Sequence, residues 1–140
     1  MLTLTEANQT IAAALASARN MKMKIAVSVC DEGGRLVAFQ RMDGVFSESI
    51  PFAIGKAIAA AASRKSSGDK DDVLDIQSVW RVAGAGLPVI AGRGGLPITR
   101  NAQTVGAIGV SGSATGQEDE QIAKVGVEAL DFRLEAIRSR

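Results

Sequence analysis

Apolar positions recur at helical spacing near the start of the chain: Ala7, Ile11, Ala14, Leu15 and Ala18 share one face. Thr3 and Glu6 stand three apart just ahead of that stripe, the spacing of a capping box, so a helix is predicted from about residue 4 to Asn20. The period then changes to two. Residues 24–30 alternate with Ile25, Val27 and Val29 on one face, and residues 35–42 alternate less regularly. Asp31-Glu32-Gly33-Gly34 between them supplies the positive-φ positions of a hairpin turn.

A second helix follows, with Ser47 or Ser49 available as its cap, Pro51 tolerated in its first turn, and an end near Ser63. The polar run RKSSGDKDD reads as an exposed loop, and residues 73–82 as a short helix. Residues 87–91, 96–100 and 103–110 read as three more strands, with turns at Gly92-Arg93-Gly94-Gly95 and Arg100-Asn101-Ala102. A last helix is predicted from about Glu118, its buried side marked by Ile122, Val125, Ala129, Phe132 and Ile137. Glu118, Asp119 and Glu120 complement the dipole at its start.

Strands joined by tight turns imply a mostly antiparallel sheet with helices packed on it. The class is α+β, in the order α-β-β-α-(α)-β-β-β-α, and residues 1–140 read as a single domain. The chain is 46% hydrophobic but only 4% aromatic, so small aliphatic residues must make the core and elements should approach closely.

Composition narrows the chemistry. A net charge of +1 with no basic stripe argues against nucleic-acid binding. Histidine and tyrosine are absent, which removes the usual catalytic base, metal ligand and phenolate. No metal site is expected, because the acidic run DKDDVLD lacks calcium-loop spacing and cysteines do not cluster. The lone Cys30 cannot form an internal disulfide. The first ten residues lack the features of a signal peptide and no apolar run is long enough for a membrane helix, so a cytoplasmic location is expected. VGAIGVSGSATG does not match a dinucleotide fingerprint, and no GK[ST] ending supports a P-loop.

Lys56 is the only charged side chain between Ser49 and Ser63, in the sequence FAIGKAIAAAA. A helix so poor in charge is predicted to be covered on most sides, with the ammonium reaching a pocket or a partner; the alternative is a stem that snorkels past alanines into water. Arg93 with the Gly94 and Gly95 backbone offers a cradle for a carboxylate, although glycines at this density are equally what a tight turn requires. Arg41 and Asp43 follow the first hairpin and are candidates for the same cavity. Cys30 beside Asp31 reads as a structural thiol, since nothing nearby would activate it.

Five segments in order, VSVCDEGGRLVAFQRMDG, IGKAIAAAAS, GGLPI, VGAIGVSG and EDEQIAKVGVEAL, resemble the GlcG/HbpS-like family of haem-binding or haem-degrading domains over about residues 26 to 130. The resemblance implies a five-stranded antiparallel sheet flanked by helices, homo-oligomers, and pockets at or near subunit contacts. It implies haem binding in some members, while others occur in glycolate or diol utilisation operons with no assigned reaction. A histidine axial ligand is impossible here, which leaves Met42, Cys30, Met21 and Met23 as candidate iron ligands. Lys56 or Arg41 would then face the propionates.

Two functional readings result. In the first, the chain is a cytoplasmic homo-oligomeric protein that binds a small molecule, either a small carboxylate or haem through its propionates, using Arg41, Asp43, Lys56, Arg93, Gly94 and Gly95. In the second it is a small cofactor-independent enzyme, a tautomerase, lyase or deaminase, in which Lys56 is the catalytic base or clamp. Behind these two stands a third, haem binding or degradation through a non-histidine ligand; haem is the one cofactor in view, and neither nucleic acid nor membrane is expected as a partner.

Overall fold

The computed structural model describes residues 1–68 and 92–130. Helix α1 (Leu4–Asn20) begins at the predicted box, where the Thr3 side chain accepts from the Glu6 amide and Glu6 reaches back to the Thr3 amide. All five residues of its predicted apolar face are buried. Strands β1 (Ala26–Asp31) and β2 (Leu36–Arg41) form the expected hairpin. Asp31 Oδ1 closes its turn by accepting from the Gly33 and Arg35 amides, and Gly34 takes the positive φ of 81°.

Helix α2 (Ser49–Ser63) crosses to a second hairpin, β3 (Gly95–Arg100) and β4 (Gln103–Ser111), and the described residues end with α3 (Gly116–Glu128) and a short tail. The four strands are antiparallel in the order β2-β1-β4-β3, so the inner edges of the two hairpins pair at the centre.

The sheet has helices on both faces. Ile25, Val27, Val29, Ile98, Ile108 and Val110 project to the side of α1 and α3 and form the main core with Ile11, Leu15 and Ile122. The opposite face carries Cys30 and Ala107 against Ala57, Ala60 and Ala61 of α2. This side must be built from small residues because the α2 backbone lies almost on the sheet. A Cβ on Gly109 would meet the Ala53 carbonyl at 2.0 Å, and one on Gly95 would meet the Lys56 carbonyl at 2.2 Å. Ser28 fastens the same contact by donating to the Ala53 carbonyl at 2.8 Å. Thr10 similarly ties α1 to α3 by donating to the Gly126 carbonyl.

Several expectations need correction. The described residues hold four strands rather than five; the expected strand at 87–91 and the short helix at 73–82 lie outside them. Neither Ser47 nor Ser49 caps α2, whose cap position is Glu48 with no side-chain hydrogen bond. The last helix starts two residues early, because Thr115 accepts from the Glu118 amide and fixes the first turn there. Its buried stripe is Ile122, Ala123 and Gly126, the glycine allowing close approach to Thr10. Val125 is 38% exposed and Ala129 is also exposed, while Phe132 and Ile137 lie outside the described residues.

Candidate functional site

The fold leaves a cleft of about 420 Å³ where the start of α2, the end of β4, the first turn of α3 and the Gly92-Arg93 turn converge. Ser111 and the Gly112–Gly116 segment form one wall. Ser49, Phe52 and Lys56, spaced at roughly one turn of helix, present one face of α2 to it. Phe46 and Glu48 stand at the approach to α2, and Phe46 is 76% exposed.

Lys56 is buried, as the charge-poor helix predicts, with its side chain 9% exposed where it lines the cleft. Its Nζ donates to Asp119 Oδ2 at 3.1 Å and to the Val110 carbonyl at 3.1 Å. Asp119 Oδ1 in turn accepts from the Ser113 amide at 3.0 Å and the Ser113 hydroxyl at 2.6 Å. The lysine thus ties α2 to α3 and, through the aspartate, holds the loop that walls the cleft. Two of its three ammonium protons are committed, so it acts as a tether rather than an open amine.

Among the described residues that line the cleft, Arg93 is the accessible cation. Its Nε and Nη2 both bond Glu120 Oε2, at 2.7 and 2.5 Å, and the Ser66 hydroxyl donates to Glu120 Oε1 at 2.5 Å. The arginine side chain is still 49% exposed.

The other predicted residues are placed elsewhere. Arg41 is exposed at the end of the edge strand β2, opposite Ala26, and Asp43 is exposed in the turn after it; neither lines the cleft. Met42 packs against the main core, with its sulfur accepting from the Ile25 amide at 3.4 Å. Cys30 is 1% exposed among the alanines of α2, where burial above all, with Asp31 adding to it, pushes the thiol up to about 12. Gly94 and Gly95 are buried behind the cleft. The Gly95 amide donates to Ser67 Oγ at 2.9 Å, and the Gly94 carbonyl accepts from the Val110 amide. Their glycine character answers to close approach, since a Cβ on Gly94 would meet the Val110 carbonyl at 2.4 Å.

Sequence reasoning missed Asp119, Ser113 and Glu120 as site residues. The signal was present: a lone lysine on a buried helix needs a counter-charge, and three acidic residues follow a threonine cap. Among the described residues no group of three or more acidic or cysteine side chains converges as a metal site.

Comparison with known proteins agrees with the fold. A 15.0 kDa protein of Citrobacter freundii encoded in the dhaT-dhaS intergenic region is 30% identical over 133 residues, covering 92% of each chain. Protein GlcG of Escherichia coli strain K12 is 30% identical over 106 residues, 75% of this chain and 77% of that one. The crystal structure of a double mutant of HbpS from Streptomyces reticuli superposes with a TM-score of 0.77 at 29% identity, covering 92% of this chain and 86% of that one. The family model described as haem degrading protein HbpS-like matches residues 2–128, nearly the whole chain, and this protein belongs to that family.

Proposed function

We propose that this chain is a small-ligand-binding protein of its family and that the cleft takes a small carboxylate, with Arg93 as its anchor. The observation that carries the reading is the exposed guanidinium of Arg93 at the edge of a 420 Å³ cleft, held in place by Glu120 and Ser66. That volume lies within the roughly 300–1,000 Å³ typical of small-molecule sites. Ser49, Ser111 and Ser113 add hydroxyls to the lining, and Phe46 and Phe52 add apolar surface at the mouth. A planar fork held by a fixed carboxylate suits bidentate recognition of a second carboxylate.

Haem, which the family name invokes, fits the cleft poorly. Iron is held by His, Cys, Met or Tyr, and the chain has neither His nor Tyr. Its cysteine and four methionines all lie among the described residues, and none lines the cleft. Propionates could meet Arg93, but among the described residues no axial ligand of these types lines the cleft. The proton-transfer reading also loses support, because Lys56 already serves Asp119 and Val110.

Two further parts of the reading are a cytoplasmic location and a homo-oligomer. Among the described residues no helix is long and apolar enough to cross a membrane. Phe46 and Phe52, 76% and 46% exposed, offer an apolar rim that a second copy would cover. Titration with haemin, followed at the Soret band, tests the choice of ligand. The expected result is no saturable red shift. A saturable band lost in Met42→Ala or Cys30→Ala would overturn it.

A further inference from the structure

We infer that the cleft selects ligands bearing a single carboxylate, and that Glu120 and Glu48 are the residues that set this selection. The inference rests on the reading of the cleft as a carboxylate site and follows from a census of its charges. Two cations border the cleft among the described residues, Lys56 and Arg93. Lys56 is committed to Asp119 and the Val110 carbonyl. Arg93 gives its Nε and Nη2 to Glu120, and its Nη1 has no acceptor among the described residues.

Among the described residues, one edge of one guanidinium therefore remains for an anion. Against it stand the carboxylates of Glu48 and Asp119 on the lining and Glu120 behind the arginine. A monocarboxylate on the Nη1 edge leaves the rest of the ligand among hydroxyls and phenyl rings, where no second charge is needed. A diacid or a phosphate brings a further negative charge into a space whose described residues already include more carboxylates than free cations. Like charges bordering one cleft disfavour the second anion. Glu120 has a double part: it orients Arg93, and its charge cancels most of the field that would otherwise attract a dianion.

The test is a nitrogen-15 amide titration at constant ionic strength, reading Gly92, Ser113 and Gly116, with propionate, succinate and inorganic phosphate as probes. In the natural protein propionate is expected to shift these amides saturably. Succinate and phosphate should bind at least about five-fold more weakly, a difference of ~1 kcal/mol and the scale of one partly exposed charge interaction. In Glu120→Gln the preference for propionate over succinate should shrink to about two-fold or less, whatever happens to affinity itself. Glu48→Gln, at an exposed position whose side chain makes no cap hydrogen bond, should shift the preference the same way without disturbing the fold. Succinate or phosphate binding as tightly as propionate, or a preference unchanged in both variants, overturns the inference while leaving the cleft a carboxylate site. If no probe moves these amides, the carboxylate reading and the inference fall together.

Discussion

Replacing Lys56 by methionine is the perturbation whose consequence follows most directly from the structure. The lysine and Asp119 side chains are 9% and 6% exposed, and their 3.1 Å contact joins α2 to α3. Methionine keeps the volume and apolar stem but removes the charge, leaving a buried carboxylate whose remaining partner among the described residues is Ser113. Breaking a buried pair by deleting one partner costs about 3–5 kcal/mol, mostly from the uncompensated charge that remains. In a domain of this size that corresponds to a melting temperature lower by roughly 10–20 °C. Urea denaturation should therefore show a lower midpoint with an unchanged slope. Asp119→Leu should cost a similar amount. The double variant should be less destabilised than the two singles summed, by about 2 kcal/mol or more, because no orphan charge is left. A Lys56→Met protein within about 1 kcal/mol of the natural one, or strict additivity in the double variant, would refute the argument.

Gly109→Ala should destabilise by about 1–3 kcal/mol or more, since its methyl would collide with the Ala53 carbonyl and the Ala57 amide, backbone atoms that cannot swing aside. Thermal denaturation checks this, and an unchanged midpoint would contradict the close approach of α2. Cys30 should resist a thiol reagent in the folded state at pH 8 and react at once in denaturant; rapid native reaction would contradict its burial. Because burial raises that thiol from its ordinary 9.0 to about 12, unfolding above pH 9 releases a proton. Its contribution to stability is thus complete below pH 9 and is lost as pH rises toward 12, a slope that Cys30→Ala should remove.

Much of the architecture was legible because local signals and tertiary packing agree. The Thr3–Glu6 box, the 7-11-14-15-18 stripe and the Asp31–Gly34 turn each rest on residues within a few positions of one another. The site was less legible because its contacts are remote in sequence. Lys56 announced itself as the only charge on α2, but its partner lies 63 residues away on a helix whose acids equally suit a dipole. The glycines of GRGG looked like an anion cradle. Gly94 and Gly95 are glycines because a β4 carbonyl and the α2 backbone come too close for a side chain, while Gly92 has room and takes a φ of 130°. Arg41 and Asp43 suggested a cavity by proximity in sequence to the hairpin, yet the edge strand carries them away from it.

The central claim is that recognition runs through Arg93 in the cleft. The most direct measurement compares propionate binding by the natural protein and by Arg93→Ala, using the same cleft amides, alongside their melting temperatures. The expected result is a loss of about ten-fold or more in affinity, the worth of a charge-assisted pair, with the fold intact because the Arg93 side chain is half exposed at the edge of the cleft. Equal affinity in the two proteins would contradict it.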